Sequence, residues 1–322
     1  MSSTTKLTSP SRNQSKESLV SRPLDDVLKL CNPLGDDDEV DDIDSINLED
    51  PQLCGAYACD IYEYLHLSEV NKRPAVDYME RVQPNINPSM RAILIDWLVE
   101  VAETYRLWPE TLYLAVNCLD RYLSGNVITK KNLQLLGVSC MMISAKYEQR
   151  WVPHVESFCY ITHNTYSSDE LLEMEACVLD YLKFELTTPT ANCFLGRFVR
   201  AAQGKGEVVP SLLFESVASY LCELSLLDYT MLCYAPSLVA ASAVFLAQYV
   251  LHPSRKPWSS TLEHYAWYRA THLEACVKSL LRLCHESPSG DVVAVRKKYS
   301  QEKYNCAAMK FYPTSLPQEL FL

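Results

Sequence analysis

From about Tyr57 onward, apolar and polar positions alternate with helical spacing. In YACDIYEYLHLSEV, Ile61, Tyr64 and Leu65 fall on one face of a helix. MRAILIDWLVEVAETYRL (90–107) places Met90, Ile93, Leu94, Trp97, Leu98 and Val101 at i, i+3, i+4, i+7, i+8 and i+11, and Ala92, Ile95 and Ala102 fill a second face. This helix is apolar over more than half its circumference, which a single core-facing stripe does not explain. WPETLYLAVNCLDRYLSGN (108–126) opens with Pro109 near the first helical position and closes at Gly125. LQLLGVSCMMISAKYE (133–148) and YAPSLVAASAVFLAQYVL (234–251) are nearly all apolar, the mark of central helices surrounded by others. Ser167 and Glu170 form a capping box for a helix running to about Phe184. TTPT (187–190) reads as a linker, because Pro189 biases Thr188 to extended geometry. Alternating β-branched segments bounded by turn signals are missing, so the pattern predicts an all-α fold.

Two stretches recur at a nearly fixed offset. SCMMISAKY (139–147) aligns with ASAVFLAQY (241–249), and MEACVLDYL (174–182) with LEACVKSLL (273–281), at offsets of 102 and 99. Two copies of one helical unit of roughly 100 residues follow. The length of 322 residues allows two such domains with sizeable cores.

Charge separates a different material at the N-terminus. The formal net charge is −11, and residues 1–50 carry 5 basic and 12 acidic residues, leaving −4 for the rest. GDDDEVDDIDSINLED (35–50) holds nine carboxylates and no cation. Such a run buries too little apolar area to offset chain entropy, so residues 1–50 are expected to be mostly disordered. A body this close to neutral argues against direct nucleic-acid binding, which needs clustered Lys and Arg. The first 30 residues lack an apolar core and no apolar run reaches the length of a membrane helix. The 13 cysteines are scattered without a C-x-x-C pair, consistent with small buried hydrophobes in a reducing compartment, cytosol or nucleus.

Catalytic chemistry leaves no trace. Only 8 residues are Gly, and no G-x-G-x-x-G, G-x-x-x-x-G-K-[ST] or G-x-S-x-G motif occurs. GKGE (204–207) is a loop fragment, and the seven histidines never form H-x-x-x-H. No metal site, cofactor or catalytic residue is predicted, and the chain reads as a binding module rather than an enzyme. The surplus apolar face around Trp97 suits a groove that takes short apolar peptides or partner helices.

MRAILIDWLVEV closely resembles the signature of the first cyclin box. TLYLAVNCLDRYLS, LQLLGVSCMMISAKYE and MEACVLDYLKFEL follow in the order and spacing of cyclin-box helices two, three and five. The similarity spans roughly residues 55–310, and its style is most like plant A-type, A3-like cyclins. It implies two tandem five-helix boxes preceded by an N-terminal helix and the acidic tail. The divisions expected are 1–50 tail, 51–88 N-terminal helix segment, 89–186 first box, 187–310 second box and 311–322 C-terminal tail.

The resemblance further implies a non-catalytic subunit that binds and activates a cyclin-dependent Ser/Thr kinase, moving its αC helix inward and helping to order its activation loop. Kinase contacts map to Lys146 and Glu175, with Glu148, Leu179 and Phe184 beside them and Ile61 and Tyr64 on the N-terminal helix. Docking of substrates and inhibitors with basic-x-Leu motifs maps to Met90, Ile93, Leu94, Trp97, Glu100, Leu133 and Gln134. Apolar residues would take the Leu and Glu100 the basic residue. Arg91 and Asp120 match a bracing pair between the first two helices.

Departures from the family pattern are Gln149 and Arg150, which replace a Glu and an apolar residue after KYE, and Lys130 in place of an Arg. The tail shows neither R-x-x-L nor Lys-Glu-Asn, and Ser9-Pro10-Ser11-Arg12 fits the S-P-x-R pattern of kinase substrates. A cell-cycle regulator of nucleus and cytoplasm is the function the resemblance implies. The alternative is a cyclin-fold adaptor that activates no kinase. A nucleic-acid-binding relative with cyclin-like repeats would need a basic body and usually a zinc ribbon, and neither is present.

Overall fold

The computed structural model describes residues 40–45, 50–204, 211–286 and 292–322. All its regular structure among the described residues is helical. Helix α1 (Ala58–Ser68) and the short α2 (Tyr78–Arg81) precede a first bundle of five: α3 (Pro88–Tyr105), α4 (Pro109–Leu123), α5 (Lys130–Glu148), α6 (Val155–Ile161) and α7 (Ser168–Leu182). A second five repeats the order: α8 (Ala191–Gln203), α9 (Leu212–Leu227), α10 (Pro236–Leu251), α11 (Ser260–Ala266) and α12 (Ala270–His285). Helix α13 (Ala294–Tyr299) and three 3₁₀ turns complete the chain.

Local chemistry sets these boundaries. The Asn87 side chain accepts the Met90 N–H with Pro88 at the first helical position, so α3 starts two residues earlier than its apolar pattern. Arg106, at φ 51°, ends it in the left-handed region. The predicted capping box is present: Ser167 Oγ accepts the Glu170 N–H and Glu170 Oε2 accepts the Ser167 N–H. Every residue from Leu135 to Ala145 of α5 is buried, as is every residue from Val239 to Ala247 of α10. These two helices are the hubs of their bundles, and they contain the segments aligned at offset 102.

The bundles are joined through buried polar contacts. The Arg91 guanidinium donates to both oxygens of Asp120, at 2.6 Å each, and through Nη1 to the Leu226 carbonyl of α9 at 2.9 Å. The Tyr78 hydroxyl donates to the same carboxylate at 2.8 Å. Such a bidentate pair, with its remaining valences filled, offsets the desolvation of two buried charges. Asp96 of α3 accepts the Val293 and Ala294 N–H groups and so caps α13. Glu103, also on α3, accepts from Lys303 Nζ and the Tyr304 hydroxyl. Burial opposes ionisation of Glu103, but these partners and Lys298 outweigh it and hold its carboxyl below the ordinary value.

The tail expectation needs one correction. Residues 1–39 and 46–49, with the S-P-x-R motif, lie outside the described residues, as does most of GKGE. Residues 40–45, however, pack against the second bundle with Ile43 buried, because one apolar anchor and one ion pair hold the segment down. Every cysteine among the described residues is a free thiol; six are buried as expected, whereas Cys54, Cys59, Cys177 and Cys233 are exposed. Burial pushes the thiols of Cys118 (to about 11), Cys140 and Cys222 up, away from reactivity.

Candidate functional site

Helices α5 and α7 lie side by side, and their C-terminal halves form one edge of the first bundle. Lys146 Nζ donates to both Glu175 oxygens, at 2.6 and 2.7 Å. The two residues to which the kinase contacts map are therefore engaged with each other. Glu175 is largely buried, while the Lys146 side chain is about half exposed. The carboxylate thus fixes the direction of an ammonium that keeps one N–H for a partner.

Phe184, just past the end of α7, is 71% exposed. Its φ is 57° and that of Lys183 is 54°, so two consecutive residues occupy the left-handed region. That conformation is unusual for a bulky side chain and turns the ring outward. Leu179, whose carbonyl accepts the Phe184 N–H at 3.0 Å, is half-buried. Glu148 is half-buried, and burial, then the nearby Glu110 carboxylate, push its carboxyl up. On α1, Ile61 and Tyr64 are exposed. Lys72, after α1, donates to the Thr187 carbonyl at 3.2 Å and lies 3.7 Å from Glu185, tying that end of the segment to the chain just past Phe184.

A second surface runs along α3. Met90, Ile93, Trp97 and Glu100 form a stripe at i, i+3, i+7 and i+10, with Ile93 and Glu100 exposed and Met90 and Trp97 half-buried. Gln134 is half-buried at the start of α5. Leu94 and Leu133 depart from expectation. Both are buried at 6% exposure and belong to the core, so they form a floor rather than a contact surface. The reason is a close helix approach: a Cβ on Gly137 of α5 would stand 2.7 Å from Leu94 Cδ1, so α5 presses directly on that side chain. The apolar surplus of α3 has a cause within the fold, since α3 packs on α9 and α13 of the second half.

The departure at Gln149 is structural. Its Nε2 donates to Thr111 Oγ1 at 2.7 Å, turning the side chain back to the start of α4, whereas Arg150 and Trp151 are exposed. Asp96 was not singled out from the pattern, although an acid inside ILIDWL was the signal that could have found it. Among the described residues no cluster of His, Cys, Asp and Glu could hold a metal, and no helix is long and apolar enough to cross a membrane.

The family profile of the cyclin N-terminal domain matches residues 60–187, and that of the cyclin C-terminal domain residues 189–311. Cyclin-A1-2 of Arabidopsis thaliana is 74% identical over 284 residues, 88% of this chain and 64% of that protein. Cyclin-A1-4 of Oryza sativa subsp. japonica is 54% identical over 291 residues, 90% of this chain and 81% of that one. An A3-type relative of Arabidopsis thaliana is 48% identical over 280 residues, 87% of this chain and 78% of that one, so identity is higher to these A1 relatives than to this A3 one. The chain spans 56% to 64% of the length of several A1 relatives. The fold is shared with a viral cyclin from herpesvirus saimiri, at a TM-score of 0.62 and 22% identity over 74% of this chain and 99% of that one. With two cyclin domains lying in order over two five-helix bundles, the chain belongs to the cyclin family, and its relatives are plant A-type cyclins.

Proposed function

We propose that the chain is a regulatory subunit that binds and activates a cyclin-dependent Ser/Thr protein kinase in the cell cycle. The observation that carries the reading is the edge formed by α5 and α7. A lysine held in place by a largely buried carboxylate lies on it, and α7 ends in the half-buried Leu179 and an outward-turned phenylalanine. A preset charge and a large exposed aromatic offered by the same two helices suit a binding hot spot. The second surface, with Ile93, Met90 and Trp97 flanked by Glu100, suits a peptide that offers a basic residue and a leucine. The kinase would supply all phosphate chemistry, and the pair would work in the nucleus and cytoplasm.

Exchanging the charges tests the first surface. Lys146→Glu with Glu175→Lys preserves the ion pair, so neither the half-exposed position 146 nor the largely buried position 175 is left without a counter-charge. The swapped chain should melt as the parent does, yet capture the kinase catalytic subunit at least tenfold more weakly and stimulate histone phosphorylation correspondingly less. Unchanged capture and activation would remove the assignment. A second reading, an adaptor that binds without activating, draws on Gln149, whose side chain is engaged with Thr111 where the family pattern has a carboxylate. Normal capture of the kinase by the parent chain with no histone phosphorylation would select it.

A further inference from the structure

Residues Val40–Ser45 lie against the second bundle as a short strap. The Asp41 N–H donates to Thr261 Oγ1 at 3.1 Å, and the Ile43 N–H to the Tyr265 hydroxyl at 3.2 Å, both on α11. The Ile43 side chain is 4% exposed. Asp44 accepts two bonds from Arg197 of α8, at 2.7 and 2.8 Å. The guanidinium carbon of Arg197 stands 4.5 Å from the ring centre of Tyr62 and 4.8 Å from that of Tyr265, and its Nε has no partner. At the end of α8, a Cβ on Gly204 would lie 2.5 Å from Asp41 Oδ2, so the backbone leaves room for a second carboxylate. A groove of about 490 Å³ remains beside the strap, bordered by Cys59, His264 and Tyr265.

The groups that do the holding belong to the folded body: Thr261 and Tyr265 on α11, Arg197 on α8 and Tyr62 on α1. What they take from the strap is generic peptide chemistry. It includes two backbone N–H groups, one apolar side chain and, directly after it, the Asp44 carboxylate. With the strap in place the Arg197 side chain is buried, and a guanidinium in such a setting is strongly favoured by a carboxylate partner. Planar, bidentate recognition between aromatic faces selects a carboxylate on an ordered chain over a free ion. Val40, Asp42 and Ser45 of the strap are exposed, and the strap gains from being tethered in the same chain. Such an occupant can be exchanged for another chain of the same chemistry.

We infer that the Arg197 site is a docking site for acidic peptides of partner proteins in which an apolar residue is followed directly by aspartate, and that Asp41–Asp44 fills it in cis. The site is separate from both surfaces described above. It is continuous with α1 through Tyr62 and Cys59, so an occupant also braces the helix that carries Ile61 and Tyr64.

The probe is a labelled, end-blocked peptide with the sequence Val40–Ser45, titrated by fluorescence anisotropy into the full chain. Full chains carrying Asp44→Asn or Ile43→Ala, which weaken the occupant in cis, should take up the peptide at least tenfold more strongly than the parent. A peptide with Asn in place of its last Asp should lose that binding. Tyr265→Phe, which removes one hydroxyl acceptor, should lower it several-fold in the Ile43→Ala background. The parent chain supplies an arm that needs no variant to fold: excess peptide should displace the strap and speed its cleavage by a protease specific for acidic residues. No uptake by either variant with unchanged cleavage of the parent overturns the proposal. So does uptake indifferent to the peptide's Asp→Asn change, or a dimer by light scattering that binds no peptide because a second copy's strap fills the site.

Discussion

Phe184 is held in a conformation that costs the free chain and serves only a surface. A left-handed L-residue is disfavoured by about 1–2 kcal/mol. Phe184→Gly removes that cost, while the greater freedom of glycine in the unfolded chain takes back about 0.5–1 kcal/mol. The fold should therefore be unchanged or more stable by up to about 1.5 kcal/mol, a rise in Tm of no more than roughly 3–6 °C. Partner affinity should respond very differently. A phenylalanine contributes about 150–250 Å² to an interface, and with the ring 71% exposed in the free chain, most of that is still available to bury. At about 25 cal/mol per Å², roughly 140 Å² corresponds to about 3.5 kcal/mol as an upper figure. Because interfaces realise only part of such a sum, a loss of about 2–3 kcal/mol is expected, or roughly 30- to 150-fold weaker binding. Titration calorimetry against the kinase catalytic subunit and thermal melting of the free chain measure the two effects. Phe184→Ala completes the set, since it loses the ring but keeps the strained backbone; it should bind as weakly as the glycine variant and melt at a lower temperature. A glycine variant that binds within threefold of the parent, or melts several degrees lower, would refute the reasoning.

Asp120→Asn keeps the shape at the bundle junction and leaves the Arg91 charge buried without its counterion. Removing one member of such a pair typically costs about 3–5 kcal/mol, so differential scanning calorimetry should show Tm lower by roughly 6–20 °C. Gly137→Ala adds a methyl group against Leu94, setting an overpacking cost of about 1–3 kcal/mol against a helix-propensity gain of about 1 kcal/mol. Stability should change little or fall slightly, while displacement of Leu94 disturbs the floor of the α3 stripe. Affinity for a basic-x-Leu peptide should drop several-fold in anisotropy titrations with kinase binding intact, and unchanged peptide affinity would separate that floor from any docking role.

Much of the fold was legible because the features that form each helix are local. Periodicity located α3, α5, α7 and α10, the Ser167–Glu170 cap marked the start of α7, and Pro109 marked that of α4. Misses followed from long-range partners. Nothing near Asp96 in sequence indicates that it caps a helix 198 residues away, and nothing near Asp44 points to Arg197, 153 positions on. The candidate surfaces were legible as sets of residues and less so as roles. Leu94 continues the spacing of Met90 and Ile93 but lies under α5, and Leu133, at the start of the apolar run of α5, is equally buried. Periodicity assigns a residue to a face without saying whether that face meets solvent or a second element.

The placement of Arg91 and Asp96 on one helix bears on how the molecule comes apart. Both lie on α3, and each satisfies backbone groups of the other half: the Leu226 carbonyl for one, the Val293 and Ala294 N–H groups for the other. Withdrawing the second half would leave a guanidinium valence and a carboxylate facing vacant space, together with the apolar flank that α9 covers. The repeat in the sequence suggests two modules that could melt in turn, but this shared helix couples their melting. The described body should therefore unfold in a single cooperative transition, with calorimetric and van't Hoff enthalpies in agreement.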